Sequence, residues 1–545
     1  MSVMSRFLAW QYKLPPAETY AVTHARDLPV PMPDGTVLLA DHYYPTGGGN
    51  PPTVLIRSPY GRRTNTSNAV ARLFAERGYQ VLIQSCRGTF GSSGKFFPFK
   101  DDRPDGLATI AWLKQQPWFS GEFAMFGPSY LSFVQWAVGD KAGPELKALI
   151  PIVTAADFRT VLHPGGSFAL DTAVNFSQGI TYQEAPPFKA ALSRPKLAHR
   201  MAQALMNLPV NEADRIAAGE TKDFYQEWLV HVSPADHWWD SMDHRAVVAQ
   251  VTTPVHLIGG FYDVLCLTTL DCYRLLHEAG RNPYLTIGPW SHGAAGMMPV
   301  MLNESLKWLG GYLKDNRSGL RQAPVRLYVM GKNQWKDFAA WPPEGYPPQT
   351  WYLQTGGELA TSKPSGSEPD RYCFDPADPT PSLGGTSLVA NSGPKDNRKL
   401  ERRKDVLVYS SAPLEHDLEV IGSLRVILYV KSSLEYTDFF ARLCDVAPSG
   451  KSINLSDGIV RLSPGRFAVD DDGIQKVEIE LWPTANCFKQ GHRIRVQVSS
   501  GSHPRYARNL GSGEPLATGT HLIPADQQVF HDTAHPSAII LPVRG

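Results

Sequence analysis

Short apolar runs that break off at Gly, Pro or Ser recur along the first half of the chain: PTVLIRSPYG, GYQVLIQSCRG, GEFAMFGPSY, LKALIPIVTA, PVHLIGGFYD and PYLTIGPWSHG. Between several of them lie segments of helical period, such as SNAVARLFAERG, GLATIAWLKQQ and YLSFVQWAVG. Runs so evenly apolar have no wet face, so they predict strands buried on both sides, with the intervening helices as their cover. Alternation of this kind builds βαβ units and a mainly parallel sheet, the α/β class. Chemistry in such sheets gathers at the carboxyl ends of the strands. The runs ending at Tyr60, Ser129, Asp263 and His292 all finish there.

At 545 residues the chain exceeds one ordinary core and predicts several domains. The alternation stops from about Ala155 to Gln250, where Pro, Trp, His and charged residues mix with helix-like pieces such as KLAHRMAQALMNL, and it resumes at PVHLIGG. The segment therefore reads as a helical cap inserted over the sheet. NESLKWLGGYLKDN closes the first unit, and beyond about Gln322 short β-type runs take over: VRLYVM, TWYLQT, DVLVYS, GSLRVILYV, DFFARLCDV, KVEIEL and HRIRVQVSS. Separated by turn residues, these predict an antiparallel sandwich or jelly roll. The expected division is 1–154 with 251–321 for the α/β domain, 155–250 for the cap and 322–545 for the C-terminal all-β jelly roll. The stretch Pro364 to Asn397, rich in Pro, Ser, Gly and Asp, predicts a long surface loop within that last domain.

The balance of 53 basic against 52 acidic residues leaves no electrostatic footprint for nucleic acid or an anionic membrane. A small, weakly charged molecule is the expected partner, and the oligomeric state is left open, a homo-oligomer included. The opening MSVMSRFLAWQYKLPP has neither the apolar core nor the cleavage site of a signal peptide, and no later stretch suits a membrane span. A cytoplasmic protein is expected. Cysteines 86, 266, 272, 373, 444 and 487 form no C-x-x-C pair, and the histidines show no metal-ligand spacing, so free thiols and no metal or organic cofactor are expected. GTFGSSGK, from Gly88 to Lys95, departs from a phosphate loop by one extra residue between its glycines and by Phe96 where Ser or Thr should stand. It reads as a Gly/Ser turn.

The chemistry concentrates in FAMFGPSYLSFVQW, an apolar strand that runs through Gly-Pro-Ser-Tyr into a helix. A serine hydroxyl is a poor nucleophile until the fold exposes it on a tight strand-to-helix turn and brings a base to it. Gly127 permits the sharp approach, Ser129 sits at the apex, and the Tyr130 N–H can point at a developing oxyanion. Leu131 stands where the G-x-S-x-G pattern has its second glycine, and a serine ending a strand is often only a helix cap. The order of the partners adds weight: α/β-hydrolases place the acid and then the histidine at later strand ends, and Asp263 and His292 follow in that order. Asp271 is the nearest substitute for the acid.

With these residues in place, the chain resembles the cocaine esterase-like hydrolases, grouped with X-Pro dipeptidyl-peptidases, α-amino acid ester hydrolases and glutaryl cephalosporin acylases. The stretches that carry the resemblance are DGTVLLADHYYP, RSPYGR, CRGTFGSSGKF, GPSYLS, GGFYDVL and GPWSHG, in the family's order, and it runs from about residue 27 to the end. The resemblance implies Ser129 as nucleophile, Asp263 and His292 as its partners, and the Tyr60 hydroxyl as an oxyanion donor beside the Tyr130 N–H. Two departures stand out: Ser132 where the elbow usually has Gly, and Ser85-Cys86-Arg87-Gly88 where relatives have Asp-x-Arg-Gly, so an Asp that would pair with a nearby cation is absent. Arg87 is expected to hold the loop that follows it.

The function expected is cleavage of a small-molecule carboxylic ester through an acyl-enzyme. The alternative within hydrolases is an amidase of the X-Pro dipeptidyl-peptidase, amino acid ester hydrolase or cephalosporin acylase kind. An enzyme that binds a free amine needs a carboxylate, for which the cap offers Asp171, Glu184, Asp236, Asp240 and Asp243. The alternative of another class is a non-catalytic jelly-roll binding protein, with Trp335, Trp341, Trp351 and Trp482 as a platform. Phe261, Leu265 and Trp290, which flank the acid and the histidine in sequence, are expected to line an apolar acyl pocket. The natural acyl and leaving groups cannot be read from the sequence.

Overall fold

The computed structural model describes residues 2–47, 49–388 and 391–545. Its first sheet has ten strands: β1 (Val22–Pro31), β2 (Val37–Pro45), β3 (Thr53–Ser58), β4 (Gln80–Ser85), β5 (Phe123–Pro128), β6 (Leu146–Ile152), β7 (His256–Tyr262), β8 (Tyr284–Ser291), β9 (Val325–Val329) and β10 (Gln334–Phe338). Their order is β1-β2-β4-β3-β5-β6-β7-β8-β9-β10. The strands from β4 to β9 run parallel, while β1, β2 and β10 join antiparallel at the two ends.

Every residue of β3, β4 and β7 is buried, the polar Arg57, Gln80 and Gln84 toward the ends of β3 and β4 included, so these strands have no wet face. The period of two survives beneath that surface. Leu55 and Leu82 enter one core cluster with Phe133 and Tyr273, whereas Val54, Ile56, Val81 and Ile83 enter another with Phe74 and Trp308. The two clusters are the two faces of the sheet, each covered by helices. Burying a side chain of this size contributes roughly 1.5–3 kcal/mol. Residues between β6 and β7 form a helical cap whose aromatics, including Phe224 and Trp228 with ring centroids 4.9 Å apart, join the first of these clusters.

Two expectations about the second half are corrected. VRLYVM does not begin the antiparallel part: β9 pairs in parallel with β8, from Leu285↔Val325 to Ile287↔Leu327. Its Val325, Leu327 and Val329 are fully buried in the same core as β7 and β8, so by hydrogen bonding the first sheet extends past residue 322 to Phe338. The Pro364 to Asn397 stretch is not simply a surface loop, since it contains the strand Asp370–Phe374 and buries Thr380, Thr386, Ser387 and Asn397. Turn-forming residues predicted irregular backbone correctly but not its burial, which comes from hydrogen-bond partners distant in sequence.

The C-terminal part closes as an all-β domain around the long antiparallel pair Leu418–Ser432 and Gln475–Phe488. Leu424, Val426, Leu428 and Val430 alternate inward to meet Phe439, Ile479 and Ile539. Two backbone bonds, Met330 N–H to Ala485 O at 2.9 Å and Cys487 N–H to Met330 O at 2.8 Å, join this domain to the loop after β9. Among the described residues no helix is long and apolar enough to cross a membrane.

Candidate active site

Ser129 stands between β5 and the helix Tyr130–Trp136 with φ 59° and ψ −123°. A non-glycine residue pays for such a conformation, so the neighbours must impose it. They do so through the Ser129 N–H, which donates to Ile152 O at 2.8 Å, and the Ser129 carbonyl, which accepts from Ser132 N at 2.8 Å and from the Ser132 hydroxyl. Gly127 is required here: a Cβ on it would lie 2.3 Å from the Cβ of Leu131. Leu131, the departure from the second glycine of the pattern, thus packs over the first.

Asp263 and His292 follow β7 and β8 directly. The Asp263 carboxylate is fully buried, accepts from Leu265 N at 2.8 Å, and faces His292 Nδ1 with both oxygens, at 3.1 and 3.0 Å. Burial pulls the imidazole pKa down, but the Asp263 charge and hydrogen bond outweigh it and hold His292 above its ordinary value. Asp271 lies in the helix Cys266–Glu278 and pairs with Arg274 at 2.6 Å. Burial pushes the Tyr60 hydroxyl pKa up, against the pull of Ser129 beside it, keeping it a neutral donor. Tyr130 opens its helix, so its N–H has no intrahelical acceptor. Its side chain points elsewhere: the hydroxyl donates to Asp102 at 2.6 Å and accepts from Phe99 N at 2.9 Å.

Ser129, His292 and Tyr60 open into a cavity of about 530 Å³. Its walls are apolar, with Phe99, Phe158, Leu162, Phe176 and Trp228 prominent among them, and Leu265 lines it as expected. Phe261 and Trp290 do not. Phe261 is 1% exposed inside the sheet core, and Trp290 is seated in the opposite core against Trp335, centroids 5.8 Å apart. Asp263 and His292 lie just past the ends of their strands, where the chain turns out of the sheet, so a strand residue two places earlier stays in the core instead of sharing their direction. The cap aromatics took that place, and Leu388 of the C-terminal domain closes the cavity with them. Spacing within the cap gave no register to find these residues, and Leu388 sits in a stretch read as loop.

None of the five cap carboxylates lines the cavity. Asp171 binds Ser387, Glu184 accepts from Phe90 N at 2.8 Å, Asp236 meets His231 at 2.6 Å, Asp240 meets His237 at 3.0 Å, and Asp243 pairs with Arg245. At the departure from Asp-x-Arg-Gly, Ser85 accepts from Arg62 Nη1 at 3.0 Å, while Asp41 and Asp27 neutralise that arginine from other strands. Arg87 pairs with Asp34 at 2.7 Å and Asp105 at 2.5 Å and so pins the loop after β4. The four tryptophans proposed as a platform are dispersed: Trp335 lies on β10 of the first sheet, Trp351 on the strand Pro348–Gln354, and Trp341 and Trp482 are buried. Among the described residues no group of His, Cys, Asp or Glu is placed to hold a metal ion.

Comparison with known proteins gives the family of the chain. The model of the X-Pro dipeptidyl-peptidase (S15 family) matches residues 34–294, and that of the X-Pro dipeptidyl-peptidase C-terminal non-catalytic domain matches residues 318–540. Cocaine esterase of Rhodococcus sp. (strain MB1 Bresler) is 33% identical over 568 aligned positions, which cover 95% of this chain and 98% of that protein. The chain belongs to the S15 family of cocaine esterase-like serine hydrolases. Solved structures extend the S15 fold along its whole length. An aminopeptidase from a marine sediment Thaumarchaeota archaeon superposes with a TM-score of 0.82 at 25% identity, covering 97% of this chain and 98% of its own. An α-amino acid ester hydrolase superposes with a TM-score of 0.82 at 24% identity, with the same coverage. The architecture is that of an α/β-hydrolase with an inserted cap and a C-terminal β domain.

Proposed function

We propose that this S15 hydrolase cleaves small, apolar carboxylic esters through an acyl-enzyme on Ser129. The observation that carries the reading is the His292–Asp263 pair opening, with the Ser129 elbow, into one apolar cavity. In the proposed cycle His292 takes the Ser129 proton as the serine oxygen attacks the ester carbonyl. Asp263 fixes the imidazole tautomer and stabilises its protonated form. The Tyr60 hydroxyl and the Tyr130 N–H receive the oxyanion. His292 then protonates the departing alcohol, and water attacks the acyl-enzyme by the same route to release the acid.

The amidase reading rests on the names of relatives. An amine-binding site needs a charge to hold the ammonium, and among the described residues the cavity lining includes Thr172, Asn175 and Gln183 but no Asp or Glu. That favours neutral esters. The test has two parts: a fluorophosphonate probe should label Ser129, and a panel of alkyl, aryl and aminoacyl esters beside dipeptide anilides should show the neutral esters cleaved fastest. No labelling would return the protein to the binding-module class, and preference for free-amine substrates would reverse the substrate assignment.

A further inference from the structure

Among the described residues the C-terminal domain reaches the cavity at Leu388, and the segment 383–388 that leads there is tethered repeatedly before it arrives. Arg442 Nη1 donates to Leu383 O at 2.7 Å. Arg505 Nη2 donates to the Thr386 hydroxyl, while Arg505 Nη1 pairs with Asp457 at 2.6 Å, and the far oxygen of Asp457 pairs with Arg442 at 3.0 Å. All these groups belong to the C-terminal domain. The last tether does not: the Ser387 hydroxyl donates to Asp171, on the cap helix Leu170–Tyr182. The next residue, Leu388, lines the cavity, and so do Thr172, Asn175 and Phe176 from the first turns of that same helix.

Asp171 is an expensive residue to keep there. It is 1% exposed, and besides Ser387 its carboxylate accepts from Thr172 Oγ1 at 3.1 Å. Burial pushes its pKa up to about 6, against the pull of Ser387 and Arg505. A buried carboxylate that costs stability and does not itself line the cavity is accounted for by what it holds.

We propose that Asp171 is a positioning residue whose carboxylate latches Ser387 to the cap helix and thereby fixes Leu388 as a specificity-determining wall of the cavity. The substrate site is then shared between the cap and the C-terminal domain, and its width is set at their junction. This inference rests on the cavity being the substrate site.

The test compares kcat/KM across esters in which acyl and alcohol groups are varied separately. Leu388→Ala identifies which ratio, large over small, depends on this wall. Ser387→Ala and Asp171→Ala should then move that same ratio in the same direction by roughly tenfold, the scale of a lost well-placed apolar contact, with the change mainly in KM. Asp171→Asn, which keeps an acceptor for Ser387, should restore the ratio to within about threefold of the parent. Combining Ser387→Ala with Leu388→Ala should add nothing to the selectivity change. If Leu388→Ala shifts a ratio that Ser387→Ala leaves alone, the latch is overturned while the cavity assignment stands. If Leu388→Ala shifts none, the cavity assignment falls and the latch with it. Because Asp171→Ala strips a buried network, the milder Ser387→Ala decides the matter should that variant fail to fold.

Discussion

Both carboxylate oxygens of Asp263 lie within 3.1 Å of Nδ1 of His292, and one of them also accepts from Leu265 N. The acid is thereby fixed by backbone on one side and fixes the imidazole on the other. Asp263→Asn should keep this geometry while favouring the wrong tautomer, and is expected to lower kcat by about 10⁴-fold. Ser129→Ala and His292→Ala should each lose about 10⁶-fold in kcat, leaving the residual acceleration that the oxyanion donors and binding supply, and the double variant should lose no more than the worse single one. Steady-state kinetics with thermal melts of each variant check this, and multiplicative losses would mean that the three do not act as a unit.

The acid limb of the pH profile should report His292. Only the neutral imidazole can take the serine proton, so activity falls as pH drops through its pKa. An even balance between burial and Asp263 would put that limb near the ordinary value of about 6.5. Asp263 wins the balance in this structure, which places the limb of kcat/KM higher. A midpoint at or below the ordinary histidine value, measured in a constant-ionic-strength buffer series, would contradict the geometry.

Tyr60→Phe removes a donor that meets charge present mainly in the transition state. Turnover is expected to fall about 100- to 1,000-fold, with a much smaller change in KM. Unchanged turnover with an altered melting temperature would make the Tyr60 hydroxyl a packing feature only.

Phe261 and Phe176 should separate cleanly. Phe261→Ala opens a void in the sheet core and is expected to cost about 3–5 kcal/mol of stability without changing ester preference. Phe176→Ala widens the cavity, and its effect should fall on the preference between large and small esters. Paired melts and substrate panels would show it, and a preference shift from Phe261→Ala would restore that residue to the pocket.

Asp171 gives a stability prediction with a definite sign. Its folded pKa, about 6, lies above the 3.8 of the free carboxylate, so the folded state binds the proton more tightly. The resulting stabilisation is complete below the unfolded value and is lost as pH rises through about 6. The difference in unfolding free energy between Asp171→Asn and the parent should therefore move in the parent's favour, by about 1 kcal/mol, on going from pH 7 to pH 5. Denaturant titrations at the two pH values measure it, and a pH-independent difference would show that Asp171 is not perturbed.

How far the sequence could be read depended on whether a residue's position followed from local pattern. Ser129, Asp263 and His292 each end an apolar run, and a parallel sheet brings such ends together whatever fills the intervening chain. The Tyr130 N–H followed from the elbow itself, whereas Tyr60 was legible only with the family motif beside it, because a tyrosine after a strand has no distinctive spacing. Phe261 and Trp290 misled because sequence adjacency was taken for spatial adjacency, when both still belong to strands buried in the cores while Asp263 and His292 lie beyond the strand ends. Phe176 and Trp228 reach the cavity through tertiary packing of the cap, Phe99 from the loop after β4, and β9 joins the first sheet through a long-range pairing with β8; none of these leaves a local signal. Leu388 was hidden for the same reason, its place being set by Asp171 and Arg505 from distant segments.

The paired backbone of Met330 and Cys487, and the single core in which Leu327 of β9 packs with Ile421, Trp482 and Ala485, bear on biosynthesis. While a ribosome has emitted only the first 340 or so residues, the wall that Trp482 and Ala485 later cover faces water, and Leu388 has not been made. A half-finished chain is therefore adhesive and still lacks one side of its cavity. A recombinant fragment ending after β10 would keep both defects, whereas the 545-residue chain supplies Leu388, Trp482 and Ala485 within one molecule.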